Sequence, residues 1–269
     1  LLGIPLLVSV HDDPVARIKN RGYPSWVQKA FEANVAKTMQ AAACCGVISK
    51  YMGEIYEERY GVRTIVLYVG VEPGECLPPP ALDRQKTPLI IGSVGSVVSE
   101  TNWRLLVEAV RLFNQQHGAG RAAILHIGTL QGALKAPEVE ATGWVSGEVF
   151  AGHLAQIDVC FLNLWFEPEY AETRRTSFPT KVSSYIQSQR PILAFGPPDS
   201  SVVRFVEEHG CGQVCTSPDP AALAERLSCL IFEPGIYERA VQAMGKLKTL
   251  FSRQQFYENF ERFISAAFE

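Results

Sequence analysis

Short apolar runs alternate with helix-forming segments along this chain, and that alternation is the strongest constraint on its fold. The runs at residues 89–95 (LIIGSVG) and 122–127 (AAILHI) are short and stop at a glycine, which is typical of buried strands. The segment between them, residues 100–116, carries apolar side chains at helical spacing. Strands and helices that alternate in this way predict βαβ units and parallel sheets.

The same reasoning gives the remaining elements. We predict further strands at residues 5–10, 46–49, 64–70, 140–143, 158–162, 191–195 and 212–215. We predict further helices at residues 26–42, 147–156, 179–188, 200–209, 220–231 and 253–268, and one that begins after the good N-cap residue Ser49. Asp12 and Asp13 indicate a turn or a helix cap before Pro14. The predicted fold class is α/β, with two doubly wound, Rossmann-like parallel-sheet domains.

Residues 70–88 separate two blocks of alternating elements. This stretch is rich in proline and has little periodicity, so we predict a hinge there, with a cleft between two domains. We place a first domain at residues 1–83, a second at 84–252, and a last helical segment at 253–269 that packs back toward the first domain. The chain opens almost inside its first strand and without an initiator methionine, so we expect the upstream half of the first domain to be missing from it.

Composition excludes several classes of protein. With a net charge of −3 over 269 residues, the chain lacks the excess of positive charge that is typical of proteins that bind nucleic acids. The longest apolar run, residues 1–10, is too short to cross a bilayer and lacks the basic start of a signal peptide. Seven cysteines without metal-binding spacing are typical of buried thiols in a reducing compartment, so we expect a cytoplasmic protein. A modest basic cluster at residues 17–29, with Tyr23 and Trp26, leaves peripheral contact with the inner face of the membrane open, although a solvated surface is the simpler interpretation.

Lys181, in the first turn of the helix predicted at 179–188, is the most informative polar residue. A helix N-terminus carries partial positive charge, so a cation is mildly unfavourable there. A bound anion would reverse this balance, because the helix dipole, backbone N–H groups, the Thr180 hydroxyl and the ammonium would all favour a phosphate. The alternative is that Lys181 extends into solvent. No GxGxxG or GxxxxGK[ST] motif is present, which argues against a dinucleotide oxidoreductase and against a P-loop enzyme.

Four segments, in order, resemble the GT-B glycosyltransferases, particularly the retaining family 4-like group. The segment SFPTKVSSYIQSQRPILAF (177–195) is similar to that group's [ST]xP[ST]K loop and to the helix and strand that follow it. Segments 147–164 and 90–110 are similar to the parts before it, and GIPLLVSVHDDP (3–14) resembles part of the N-terminal domain. The resemblance implies two Rossmann-like domains, a nucleoside-diphosphate sugar as donor, and neither a metal nor another cofactor.

The resemblance also implies roles for particular residues. The departing diphosphate would be held by Gly95, Ser96, Arg174, Ser177, Thr180 and Lys181. His11, at the end of a strand of the N-terminal domain, would be catalytic and orient the donor sugar. Glu172 would hydrogen-bond the sugar hydroxyls, with Glu167 and Glu169 as the other candidates.

Three positions depart from the family pattern. Ser96 and Thr101 stand where family members often carry arginine and lysine, and Ser184 stands where a glutamate holds the ribose. We expect a glycosyltransferase that acts with retention on a saccharide or lipid-linked acceptor, as in polysaccharide biosynthesis. Two alternatives remain: a catalytically degenerate binding or scaffold protein, and an epimerase that acts on the nucleotide-sugar itself.

Overall fold

The computed structural model describes residues 4–269, so the first three residues of the predicted first domain lie outside it. Two compact units are present. The first unit contains the residues up to Gly70 together with 167–179 and 249–269, and the second contains 71–166 and 180–248. The segment with three of the predicted site residues, 167–179, therefore belongs with the amino-terminal part of the chain.

The described residues form nine strands and eleven α-helices. The strands are β1 Leu6–Val10, β2 Ala42–Val47, β3 Thr64–Val66, β4 Leu89–Val94, β5 Ala122–Ile127, β6 Val139–Ala141, β7 Val159–Asn163, β8 Ile192–Phe195 and β9 Gly212–Cys215. The helices are α1 Pro14–Asn20, α2 Ser25–Ala41, α3 Lys50–Tyr60, α4 Glu100–His117, α5 Gly147–Gln156, α6 Ala171–Thr176, α7 Lys181–Ser188, α8 Ser201–His209, α9 Pro220–Phe232, α10 Ile236–Leu250 and α11 Arg253–Ser265. None of these helices is both long and apolar enough to cross a bilayer.

The first unit is built on a parallel sheet with the strand order β1–β2–β3. Helix α3 covers this sheet, and its buried Met52 packs in one core with Val47 of β2. The helix begins at the predicted N-cap, where the Ser49 hydroxyl accepts a hydrogen bond from Met52 N at 3.2 Å. Helix α11, at the other end of the chain, packs on β2 and β3 through Phe263, which shares a second core cluster with Ile65.

The second unit contains a six-stranded parallel sheet with the order β6–β5–β4–β7–β8–β9. Helix α4 buries an apolar stripe that includes Trp103 and Phe113, and α9 buries Leu227 and Leu230 in the same core. The strand order reverses between β4 and β7, the two central strands. In open parallel sheets, ligands bind at the carboxyl ends of the strands beside such a switch point. The predicted α/β fold class is confirmed.

A buried hydroxyl group bridges the two central strands where they separate. Strands β4 and β7 pair at two positions, which lie in the middle of β4 and at the start of β7. Further along, the hydroxyl of Tyr185 on α7 accepts a hydrogen bond from Val94 N at 3.3 Å and donates one to Phe161 O at 2.7 Å. The Tyr185 hydroxyl therefore replaces the missing ladder bonds at the switch point.

Tyr185→Phe is expected to destabilise the protein by about 1.5 kcal/mol, because it leaves a buried N–H and a buried carbonyl without this partner. Urea unfolding of the variant would measure the loss. Tyr257→Phe is the matched control, since Tyr257 is 53% exposed on α11. If the two variants were equally stable, the bridging hydroxyl would contribute nothing to the fold.

The proline-rich stretch predicted as a hinge makes ordered contacts within the second unit. Leu77 N donates to Gln187 O at 2.8 Å, at the carboxyl end of α7. The buried Arg190 donates to Pro78 O at 3.3 Å and to Ile157 O at 3.0 Å. From Leu77 onward, this stretch is therefore held against α7 and the loop before β7.

Most observed helices and strands agree with the predicted ones within a few residues. The sequence pattern does not predict α1, α6 or α10, and it extends β3 to residue 70 although the strand ends at Val66. Helices α1 and α6 are only seven and six residues long, too short to show a helical period.

Candidate functional site

Lys181 connects the start of α7 to the turn after β4 in the second unit. It is the first residue of α7, the helix between β7 and β8 that follows α6, and its ammonium donates to Ser96 O, just after β4, at 2.9 Å. In the part of the chain that the structure describes, no carboxylate lies within ion-pair distance of Lys181. Burial lowers the pKa of Lys181 to about 8. The second unit therefore holds a partly buried cation, without a carboxylate partner among the described residues, at the place where parallel sheets bind ligands.

The turn after β4 is fixed by its own backbone and by α4. Gly95 adopts a left-handed conformation with φ of 76° and donates its N–H to Ile127 O at 2.9 Å. The buried side chain of Asn102, in the first turn of α4, donates to Leu164 O at 2.9 Å, directly after β7. Asn102 thus ties α4 to the loop after β7, and Lys181 ties the start of α7 to the turn after β4.

The N-terminus of α7 offers backbone donors to a ligand. Thr180 precedes the helix with helical backbone angles, and its hydroxyl makes no capping hydrogen bond. Within the described residues, the N–H groups of Lys181 and Val182 have no acceptor, whereas Ser183 N donates to Thr180 O at 3.0 Å. Two free N–H groups, a hydroxyl and an ammonium at one helix start form a suitable environment for an anion.

In the first unit, Glu172 lies on α6 in a cluster of charged residues. One of its carboxylate oxygens is 2.9 Å from the Lys19 ammonium of α1, and the other is 2.6 Å from the Arg59 guanidinium of α3. Burial raises the pKa of Glu172, but the hydrogen bonds and charges of Lys19 and Arg59 outweigh it, and the net pKa lies below its usual value. The adjacent Thr173 hydroxyl accepts from the Asn20 amide at 2.7 Å. Both oxygens of Glu172 therefore join α6 to α1 and α3.

Asp13 belongs to the same cluster. It caps α1 by accepting hydrogen bonds from Val15 N at 2.8 Å and from Ala16 N at 3.0 Å, as the sequence indicates. Its second carboxylate oxygen is buried and lies 3.7 Å from the Arg59 guanidinium. Burial raises the pKa of Asp13, and the positive charge of Arg59 opposes this rise. The Arg59 guanidinium therefore faces two carboxylates, those of Asp13 and Glu172.

His11 is exposed at the carboxyl end of β1, where it contributes to the wall of a cavity of about 440 Å³ in the first unit. The strand ends and α11 form the rest of the wall, which is mostly apolar: Ser9, Val10, Gly46, Val47, Ile48, Leu67, Val69, Gly70, Arg253, Phe256, Tyr257 and Phe260. A cavity of this size and character fits part of an organic ligand.

The structure divides the residues predicted for one site between the two units. Gly95, Ser96, Thr180 and Lys181 lie together in the second unit, while His11, Glu172, Arg174 and Ser177 lie in the first. Arg174, in the last turn of α6, donates to Glu167 O at 3.4 Å. Glu169 is exposed in the short turn that precedes α6.

Two structural residues of the switch point are missed by sequence reasoning. Asn102 and Tyr185 stand within apolar helical stripes, where a buried polar side chain must find a hydrogen-bond partner. That rule could have singled them out, but their partners, Leu164 and Phe161, are far away in the sequence.

Comparisons of the sequence with known proteins find no match, whereas comparison of the structure with solved structures supports the fold. No protein-family model and no curated protein sequence matches this chain. Among solved structures, the sucrose-phosphate synthase of Thermosynechococcus elongatus superposes with a TM-score of 0.63 at 14% identity, over 97% of this chain and 67% of that one. Anabaena HepE, in complex with UDP and glucose, gives a TM-score of 0.69 at 14% identity, over 97% and 72%.

A third structure gives the same result. The UDP-forming trehalose-phosphate synthase of Burkholderia xenovorans superposes with a TM-score of 0.66 at 12% identity, over 99% of this chain and 69% of that one. These similarities extend over both units, and they agree with the parallel sheets and the switch point described above. The chain has the GT-B fold of the nucleotide-sugar glycosyltransferases.

Proposed function

We propose that this protein transfers a sugar from a nucleoside-diphosphate sugar to a saccharide or lipid-linked acceptor, with retention of configuration. The observation that carries this proposal is the Lys181 ammonium, which is partly buried, lacks a carboxylate partner among the described residues and lies at the switch point of the second unit. The structurally similar HepE was crystallised with UDP, which supports a nucleoside diphosphate as the anion.

Transfer of a glycosyl group leaves negative charge on the departing diphosphate, and preorganised donors stabilise that charge. In this proposal, Lys181, the free N–H groups of α7, the Thr180 hydroxyl and the turn at Gly95 and Ser96 provide the stabilisation in place of a metal ion. From the first unit, Arg174 and Ser177 are assigned to the diphosphate.

The sugar itself is assigned to two residues of the first unit. His11 orients it, because the imidazole is exposed at a strand end where parallel sheets bind ligands. Glu172 accepts hydrogen bonds from the sugar hydroxyls through lone pairs that its ion pairs with Lys19 and Arg59 leave available.

The direct test is to incubate the protein with UDP-, GDP-, ADP- and dTDP-sugars and to measure the release of the nucleoside diphosphate with and without saccharide or polyprenyl-phosphate acceptors. Acceptor-dependent release supports the proposal. Conversion of the donor alone into an isomer would indicate the epimerase alternative. Binding of a nucleotide without turnover would indicate a degenerate binding protein, which the serine at position 96 favours.

The affinity for a nucleoside diphosphate should fall as the pH rises above about 8, because the pKa of Lys181 in the free protein is about 8. Below this pH the ammonium is already charged and binding is nearly independent of pH. Above it, each ligand must bind together with a proton, and the affinity falls by up to about tenfold per pH unit. Isothermal titration calorimetry from pH 7 to pH 9.5 would measure the slope.

Lys181→Arg is the control for this pH dependence, since a guanidinium stays charged over the whole range. Its affinity should be flat between pH 7 and pH 9.5. An equal decline in the wild type and in Lys181→Arg would show that another group titrates.

A further inference from the structure

His126 is a fully buried histidine of the second unit that the fold itself does not explain. It lies on β5, and neither of its ring nitrogens hydrogen-bonds to any of the described residues. Buried polar side chains are almost always paired, because an unpaired polar atom costs free energy. The other two residues on this face of β5, Ala122 and Ile124, are apolar and belong to the core. An apolar residue would therefore serve the core better than this imidazole.

The imidazole lies beside the turn that follows β4. A Cβ added to Gly128, two residues after His126, would lie 3.1 Å from His126 Nε2 and 2.7 Å from Gly95 O. Ser93, two residues before Gly95, is opposite His126 in the register of β4 and β5. The Trp103 indole of α4 packs against the ring, with centroids 5.2 Å apart. His126 is therefore a neighbour of the turn to which we assign the diphosphate.

Lys181 is the one charged group of the described residues that acts on this ring. Burial lowers the pKa of His126, the positive charge of Lys181 lowers it further, and the Thr129 backbone opposes both less strongly. The ring is therefore neutral in the free protein at neutral pH. The side chains that the neighbouring elements place around it do not titrate: Ser93 of β4, Ala141 of β6 and Trp103 of α4.

We propose that His126 is a positioning residue of the donor site, which takes up a proton when the diphosphate binds. This inference rests on the proposed function, since it uses an anion bound at Lys181. The anion would offset the positive charge of Lys181, so a proton from solvent can add to a ring nitrogen of His126. The imidazolium then gains the Thr129 backbone, which favours the charged form, and holds the adjacent turn at Gly95 by charge.

Proton uptake makes the affinity for the donor depend on pH below the range in which Lys181 titrates. The pKa of His126 in the free protein lies below its ordinary 6.5, and the bound anion raises it. Binding therefore strengthens as the pH falls through the bound value and levels off below the free value. A rise of about one in this pKa gives about tenfold tighter binding at low pH. With Lys181 alone, the affinity would stay constant there.

The experiment is isothermal titration calorimetry from pH 5 to pH 7.5 with UDP-glucose, GDP-mannose, ADP-glucose and dTDP-glucose. Both phosphates of these donors are esterified, so the ligand itself does not titrate in this range. The wild type should bind its preferred donor about tenfold more tightly at pH 5 than at pH 7.5. His126→Phe keeps an aromatic ring that takes up no proton, so its affinity should change less than about twofold. His117→Gln, at the last residue of α4, is the matched control and should keep the profile of the wild type.

A second measurement reports on His126 without a substitution. The imidazole resonances of the wild type, titrated by NMR with and without the preferred donor, should show the pKa of His126 rising by about one and that of His117 unchanged. His126→Phe should melt at the same temperature as the wild type or higher, because it replaces an unpaired polar ring with an apolar one.

Two contrary results have different meanings. If the donor leaves the pKa of His126 unchanged, or if His126→Phe shows the same gain in affinity at pH 5 as the wild type, the ring is not linked to the donor and the inference is wrong while the donor site stands. If none of the four donors binds the wild type at any pH, the proposed function fails and the inference fails with it.

Discussion

Lys181→Ala is expected to remove most of the stability that a nucleoside diphosphate gives this protein. A ligand at 100 times its Kd stabilises the folded state by about 2.7 kcal/mol. A charge-assisted contact contributes roughly 1.5–3 kcal/mol, so its loss should raise the Kd by about 10- to 100-fold. At the same ligand concentration, the stabilisation should then fall to about 0.4–1.4 kcal/mol.

A thermal-shift series with UDP, GDP, ADP, dTDP and CMP would measure this effect and identify the preferred base. Lys135→Ala is the matched control, because Lys135 is an exposed lysine of the same unit that follows β5. Its ligand-dependent shift should equal that of the wild type. If Lys181→Ala also keeps the full shift, the anion lies elsewhere; if no nucleotide shifts the wild type, the donor site itself is wrong.

The fold could be predicted from the sequence because its determinants are local. Each buried strand is a short apolar run, and each long helix shows a 3.6-residue period, so β4, α4 and β5 are predicted within one or two residues. The unfavourable position of the Lys181 cation at a helix N-terminus could be recognised locally as well, because it depends only on the charge of one side chain and the polarity of one helix end.

The missed features depend on contacts between distant parts of the chain. Glu172 could be proposed as a sugar ligand from its loop, but its ion pair with Lys19 joins residues 153 positions apart. Helix α6 (AETRRT) has no apolar stripe, and the ion pairs of Glu172 with Lys19 and Arg59 hold it in place. The close approach of Gly128 to Gly95 likewise exists only because β4 and β5 are neighbours in the sheet, an order that no single segment encodes.

Glu172→Ala is expected to destabilise the first unit by about 2 kcal/mol, because it leaves the half-buried Arg59 guanidinium and the Lys19 ammonium without their shared carboxylate. Since the folded-state pKa of Glu172 is lowered, its contribution is fully present above the ordinary carboxyl pKa of 4.5 and disappears as the pH falls through the lower folded value. The difference in stability between the wild type and Glu172→Ala should therefore be constant near neutral pH and should shrink below about pH 4.5.

Amide hydrogen exchange of residues 13–20 and 171–176 in increasing urea would measure this loss locally, which matters because a chain with two units need not unfold in one step. Glu169→Ala is the control, because Glu169 is exposed in the same loop and makes none of the ion pairs of the described residues. The same variants separate structure from chemistry. If Glu172 only held α6, transfer per folded molecule would survive in Glu172→Ala at low temperature, where the unit stays folded. Since we assign the carboxylate to the sugar hydroxyls as well, transfer should fall there while nucleoside diphosphate binding at Lys181 persists.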